Sequence, residues 1–355
     1  MTAIIVGLII GMIAVAAPIG AQPPATTTLA TDLVSPWGLA FLPDGTALVS
    51  ERDTGRILRI DPTKAAGRNA QVLGKVPGST PDGEGGLLGI AVPRSGNQMP
   101  THLFAYTTTR SDNRVLRVDL QDGATRLGPA TPILTGIPKN SYHNGGRILI
   151  APDGTLYVAT GDAGDVATAQ NRRSLGGKVL HINPDGTPAA GNPDPKSPIF
   201  SLGHRNVQGL ALDSAGRLWA SEFGSKDADE LNFLVAGGNY GWPLVEGRGS
   251  SSRFRNPEAT WSPTSLASPS GIAIKNDIAY VASLRGEVLW QVPLLKVGSP
   301  NPGAAKPRAL ELPNLGRLRT IELAPDGSLW LITSNTDGRG DPRRGDDRIL
   351  RVTLQ

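Results

Sequence analysis

The chain has no cysteine, which excludes disulfides, thiolate metal sites and cysteine nucleophiles and leaves the fold to rest on its core. Aromatic residues make up only 5% of it. No long stretch repeats apolar residues at helical spacing, which argues against a helical protein. Charge of one sign is scarce too: 35 Lys and Arg against 31 Asp and Glu leave a formal net charge of +4. Basic residues are scattered, with local pairs at Arg172-Arg173 and Arg343-Arg344. Without a basic stripe interleaved with aromatics, nucleic acid is not an expected partner. A small anionic ligand is compatible with this balance.

What is present is turn chemistry and a leader-like start. The 44 Gly and 30 Pro are spread along all 355 residues rather than gathered in one linker, as in a single large β domain. Residues 3–17 are almost wholly apolar, followed by Pro18-Ile-Gly-Ala21 and a polar Gln-Pro-Pro-Ala-Thr-Thr-Thr run. This reads as a signal peptide over 1–21, with a linker over 22–32 and the folded domain over 33–355. No Lys or Arg precedes the apolar run, so a retained N-terminal membrane anchor is the second reading, its length being borderline for spanning. Either way the protein is expected to be exported, to the periplasm, the exterior or the cell envelope.

From residue 33 onward one unit recurs: an apolar run, a tight turn, a second apolar run, a polar loop and a third run. The turns include Pro43-Asp-Gly45, Pro152-Asp-Gly154, Asp213-Ser-Ala-Gly216, Asn276-Asp277 and Pro325-Asp-Gly327. They return roughly every 50–60 residues, a period that marks a repeat architecture. Six units, each with room for about four short strands, predict an all-β fold, a six-bladed β-propeller closed into a ring. Two stacked sandwiches would not produce so long a period. Three irregular insertions, 77–84, 163–177 and 337–347, are expected to build up one rim, where propellers place their functional loops.

The stretch Tyr142-His-Asn-Gly-Gly-Arg147 sets a histidine before one strand, and Asp162 ends the next. A hairpin returns those ends to each other, so His143 and Asp162 can meet at one end of a sheet, as a base and its orienting carboxylate do. Other segments that precede inner strands bring Glu84, Arg205, Asn206, Arg317 and Arg319 to the central channel, and Ser283-Leu-Arg-Gly286 brings Arg285. Several guanidiniums around one histidine suit a compact ligand bearing carboxylates. The acidic run Asp227-Ala-Asp-Glu230 is expected to make turn and strand-start contacts. Asp341, Asp346 and Asp347 read as a solvated loop beside Arg343 and Arg344.

Gly-Glu-Gly-Gly-Leu-Leu-Gly at 83–89, His-Asn-Gly-Gly-Arg at 143–147, Gly-His-Arg-Asn-Val-Gln-Gly-Leu at 203–210 and Ser-Glu-Phe-Gly-Ser-Lys-Asp-Ala-Asp-Glu-Leu-Asn at 221–232 resemble, in order, motifs of the glucose/sorbosone dehydrogenase family. The resemblance implies a soluble, six-bladed aldose sugar dehydrogenase that uses pyrroloquinoline quinone and calcium. By matching position it implies His143 as catalytic base and Asp162 as its orienting carboxylate. Arg205 and Asn206 would then lie near the reactive quinone carbonyls, with Arg317, Arg319 and Arg285 on the cofactor. The backbone carbonyls of Gly224 and Ser225 would hold the calcium. The implied reaction oxidises the anomeric hydroxyl of an aldose to the lactone, with hydride passing to the quinone; a further electron acceptor is left unnamed. Two positions depart from the family pattern. Glu84 stands where a glutamine commonly contacts the cofactor, and its charge is expected to need protonation or pairing with one of these arginines. Tyr142 stands where some glucose-oxidising members carry an aspartate. The alternatives are a quinone-less propeller of the same ancestry acting as a binding or cell-surface protein, and a calcium-dependent propeller lactonase.

Overall fold

A computed structural model describes residues 24–93, 96–312 and 314–354. Its local order begins in the turns. In the Pro-Asp-Gly turns the aspartate caps the chain two residues on: Asp44 Oδ1 accepts from Thr46 N at 3.1 Å and Thr46 Oγ1 at 2.6 Å, and Asp153 and Asp326 repeat this with Thr155 and Ser328. The glycine that follows, at 45, 154 and 327, takes φ of +83°, +87° and +78°, the left-handed region that side chains avoid. Each turn reverses the chain and pairs two apolar runs as antiparallel strands.

The strands follow in chain order. β1 (Ala25–Ala30) belongs to the last sheet. β2 (Pro36–Phe41), β3 (Ala47–Glu51), β4 (Arg56–Ile60) and β5 (Ala70–Lys75) form the first blade. β6 (Leu87–Ala91), β7 (His102–Thr108), β8 (Asn113–Gln121) and β9 (Arg126–Ile137) form the second. β10 (Gly145–Ile150), β11 (Leu156–Thr160), β12 (Lys178–Ile182) and β13 (Ile199–Leu202) form the third, with the short helix α1 (Ala167–Gln170) between β11 and β12. β14 (Val207–Leu212), β15 (Leu218–Glu222), β16 (Asp229–Phe233) and β17 (Ala259–Trp261) form the fourth. In the fifth, β18 (Pro269–Lys275), β19 (Ile278–Ser283) and β20 (Leu289–Leu295) are joined by β21 (Gly303–Ala304) and β22 (Arg308–Leu310), both paired with β20. The sixth is β23 (Leu318–Leu323), β24 (Leu329–Thr333) and β25 (Ile349–Thr353), completed by β1.

That last pairing corrects one expectation. Residues 22–32 were expected to be a linker, yet Ala25–Ala30 pairs antiparallel with β25, and Asp32 and Leu33 donate to Gly345 and Asp347 carbonyls at 3.1 Å. Three consecutive threonines suit a pleated edge, and the N-terminal strand closes the ring by completing its final sheet. The proposed leader at 1–21 lies outside the described residues.

The core is divided six ways. Each apolar cluster joins neighbouring blades, mostly two of them, as where Leu48 and Ile57 of the first meet Leu87 and Leu103 of the second. Strands covered on both faces carry near-continuous apolar runs. At the axis the inner strands β2, β6, β10, β14, β18 and β23 contact one another in sequence around the ring. A Cβ on Gly89 would sit 2.2 Å from Gly146 O, and one on Gly209 2.4 Å from Ser270 O. The recurring glycine of the inner strand is therefore what lets neighbouring blades converge.

Candidate active site

Strands β10 and β11 are antiparallel, so the residue before one and the residue after the other lie at the same rim. His143 Nδ1 is 2.7 Å from Asp162 Oδ1. The Asp162 side chain is fully buried, while 16% of that of His143 is exposed. Asp162 Oδ1 also accepts from Gly164 N at 2.8 Å, and Oδ2 from the Trp242 indole at 2.8 Å. Burial opposes ionisation of Asp162, but the bond and charge of His143, the Gly164 N–H and the indole outweigh it and hold the carboxyl below its usual range. With Nδ1–H donated to a carboxylate, the neutral imidazole carries its lone pair on Nε2. That is the arrangement of a general base.

The backbone at His143 is strained, at φ +56°, a left-handed conformation that costs a bulky residue roughly 1–3 kcal/mol. Its neighbours hold it there. Glu84 Oε2 accepts from His143 N at 3.0 Å, and Ala163 N donates to His143 O at 3.1 Å. A Cβ on Gly161 would fall 1.9 Å from His143 O, so this close approach requires glycine.

Glu84 does find an arginine, though not one of those expected. Its Oε1 pairs with Arg339 at 2.8 Å, reaching across from the 337–347 insertion. Through Glu84, His143 and Ala163 the three irregular insertions meet on one rim.

Arg205 precedes β14, and its guanidinium lies 5.5 Å from the centre of the Trp242 ring. Nη1 donates to Phe223 O at 3.3 Å, but the buried Nε has no acceptor among the described residues. Burial lowers the Arg205 pKa, opposed by the carboxylates of Asp162, Glu246, Glu222 and Glu84. Its backbone is locked from below: Glu222 accepts from Arg205 N and from His204 Nδ1, and His204 Nε2 meets Ser201 Oγ at 2.8 Å. Asn206 is fully buried; its Oδ1 accepts from Gly145 N at 3.0 Å, and its Nδ2 has no partner among the described residues.

Arg317 and Arg319 flank the start of β23. Asp337 Oδ2 binds both, at 3.3 and 3.1 Å. Arg319 is almost fully buried and also donates to Gln208 Oε1 at 2.8 Å, whereas Arg317 Nε is buried without an acceptor among the described residues. Burial pulls Arg319 and, deeper in the channel, Arg147 down to about 10. Both remain cationic at neutral pH. Arg285 lies on the turn between β19 and β20, exposed, and the structure gives its side chain no bond to the other candidates.

Gly224 and Ser225 follow β15. Their N–H groups donate to Asp229 Oδ1 and Glu246 Oε1, and their carbonyls accept no hydrogen bond among the described residues. Glu246 Oε1 gathers four successive N–H groups, Ser225 to Ala228, at 2.5–3.2 Å. The Asp227–Glu230 run makes turn and strand-start contacts: Asp229 accepts from Gly224 N and Ser268 N at 2.8 Å, and Glu230 from Gly247 N at 2.7 Å. Burial pushes Asp229 up to about 7, and burial with the nearby Glu222 charge pushes Glu230 up to about 8.

One expectation is overturned here. Asp346 and Asp347 are not a solvated loop. Asp347 is fully buried and accepts from Thr333 Oγ1, Asn335 N, Thr336 N and Thr336 Oγ1 at 2.6–3.0 Å, while Asp346 Oδ1 binds Arg348 at 2.8 Å. They brace the 337–347 insertion against the closing blade.

Sequence reasoning passed over Trp242, Glu246, Asp337 and Arg339. The Tyr-Gly-Trp-Pro string at 240–243, in a chain poor in aromatics, was a visible signal for the first. Nothing local marked the other three.

Comparison with known proteins bears on the fold and the family. A family profile described as Glucose / Sorbosone dehydrogenase matches residues 33–350. Among solved structures, the PQQ-bound form of aldose sugar dehydrogenase from Streptomyces coelicolor superposes with a TM-score of 0.87 and 48% identity, covering 94% of this chain and all of that one. The aldose sugar dehydrogenase YliI of Escherichia coli is 28% identical over 89% of this chain and 92% of its own length. Quinoprotein glucose dehydrogenase B of Acinetobacter calcoaceticus is 31% identical over 63% of this chain and 53% of its own.

Proposed function

The chain belongs to the glucose/sorbosone dehydrogenase family, and on that premise we propose that it oxidises the anomeric C1 hydroxyl of aldose sugars to the lactone, using pyrroloquinoline quinone and calcium. The observation that carries this reading is a carboxylate-held His143 on the same rim as three buried donors without acceptors among the described residues, Arg205 Nε, Asn206 Nδ2 and Arg317 Nε. Buried donors left unpaired are costly unless a ligand completes them. A tricarboxylate quinone brings the acceptors they lack, so the residues present fit the cofactor.

When bound, the quinone supplies a two-electron acceptor for the hydride from C1, and calcium supplies a Lewis acid beside it. The protein's part is acid–base and electrostatic. His143 Nε2 takes the proton of the anomeric hydroxyl, and Asp162 steadies the imidazolium that results. Arg205 and Asn206 aim fixed donors at the place where negative charge develops. Arg317 and Arg319, with Arg285 at the rim, set the positive field that draws carboxylates, and the free carbonyls of Gly224 and Ser225 offer oxygen ligands to a hard cation. Glu84 holds the His143 backbone while Arg339 offsets its charge. We further propose export, on the apolar run at residues 3–17 and the small residues after it.

The test adds calcium and pyrroloquinoline quinone to purified apo-protein and follows dye reduction with a panel of aldoses, in wild type and His143→Ala. Turnover by wild type alone is expected. Absence of both dye reduction and bound-quinone absorbance in wild type would overturn the reading in favour of a quinone-less binding propeller.

A further inference from the structure

We propose that Trp242 is a positioning residue that couples the base to the electrophilic side of the site, its indole N–H fixing Asp162 and its ring face fixing Arg205. The inference rests on the dehydrogenase reading above for its link to turnover, though not for its geometry. Asp162 Oδ1 is shared by His143 and Gly164, while Oδ2 takes its hydrogen bond from Trp242 Nε1 at 2.8 Å. The same ring lies 5.5 Å from the Arg205 guanidinium carbon, within reach of a cation–π attraction. One side chain therefore touches both partners.

The indole is aimed by its backbone. Trp242 N donates to Gly203 O at 3.0 Å, and Gln170 Nε2 donates to Trp242 O at 2.7 Å. Gln170 and Asn239 exchange amide bonds at 3.0 and 2.8 Å, stitching the connection between β16 and β17 to α1. That connection runs parallel to β13 at Leu202 and Asn239 before it delivers Trp242 to the rim. Ordering a side chain from both ends is how a site avoids reorganising during reaction.

The physical consequence concerns proton affinity. Donating an N–H to Asp162 spreads part of its negative charge, which tempers how strongly it stabilises a protonated His143. The other charged or titratable groups facing this pair are Tyr142 beside the histidine ring, Glu84 with its partner Arg339, and Arg205 with Glu222 and Glu246 behind it. None of them changes in Trp242→Phe, which keeps an aromatic face for Arg205 and removes only the donor. Trp242→Leu removes both.

The test follows the His143 ring resonances by NMR against pH in apo-protein, so it does not depend on quinone or sugar. Trp242→Phe is expected to move the titration midpoint up by about one pH unit, roughly tenfold in proton affinity. In enzyme loaded with quinone and calcium, the acid limb of kcat/KM should rise equally, with sugar KM within about twofold. In an Asp162→Asn background, Trp242→Phe should produce no further shift. Trp242→Leu should add a loss of kcat of about tenfold through the freed Arg205. An unchanged midpoint in folded Trp242→Phe overturns the proposal, as does an equal shift in the Asp162→Asn background. Should Trp242→Phe not fold, Gln170→Leu replaces it, and no upward shift there overturns the proposal. A wild type that never turns over aldoses would defeat the dehydrogenase reading, while the apo titration would still judge Trp242.

Discussion

Two buried aspartates, Asp162 and Asp337, stand in different blades with different partners. Asp162, between the third and fourth blades, accepts from a histidine, a backbone N–H and an indole. Asp337, above the sixth blade, accepts from two arginines, Ser334 Oγ and Arg339 N. Burial opposes ionisation of both, and in both the partners win and hold the carboxyl low. The difference lies in the partner. An imidazole changes charge near neutrality and can move a proton, whereas guanidiniums stay charged and can only store field. On the proposed function, identical chemistry in the carboxylate would serve proton transfer on one side and electrostatics on the other.

The sharpest way to break this contrast is to remove the one titrating partner. His143→Ala is expected to lower kcat by about 10²–10⁴-fold while leaving quinone affinity intact, measured by stopped-flow turnover and quinone titration. On the other side, Asp337→Asn leaves the buried Arg319 guanidinium and the partly buried Arg317 without their anion. It should cost about 3–5 kcal/mol in urea unfolding, far more than the same change at an exposed carboxylate.

Acid should separate the two sides more gently. The folded carboxyl of Asp162 lies below its unfolded value, so its contribution to stability is complete above the ordinary carboxylate range, near pH ~4. It is lost as pH falls through the folded value. Melting temperatures taken between pH 6 and 2 should therefore fall less steeply in Asp162→Asn than in wild type, the remaining fall including the part lost at Asp337, which is held low in the same way.

The smallest effect is expected where the two sides meet, at Glu84. Glu84→Gln keeps an oxygen for the His143 N–H and releases Arg339, so quinone affinity should rise about threefold. Stability should change by less than ~1 kcal/mol because the Arg339 side chain is largely exposed. Unchanged affinity would show that Glu84 serves the histidine backbone alone.

How much of this was legible follows from sequence distance. His143 and Asp162 are 19 residues apart on one hairpin, and a hairpin is local enough to read from alternating runs and a Pro-Asp-Gly turn. Trp242 reaches Asp162 from 80 residues away, carried by an irregular connection with no periodicity to follow. Arg339 was overlooked because a rim insertion carries no signal of where its side chains land. β1 was mistaken for a linker because its partner, β25, lies at the opposite end of the chain.

By itself, then, the amino-acid sequence determined the repeat, the tight turns of five blades and the hairpin that brings His143 to Asp162. Each of these depends on neighbours within a few tens of residues. Only the tertiary structure decided which strand closes the ring, which cation answers Glu84 and what holds the second oxygen of Asp162. Those contacts form when the six blades converge, and long-range packing leaves no period in the chain that makes it.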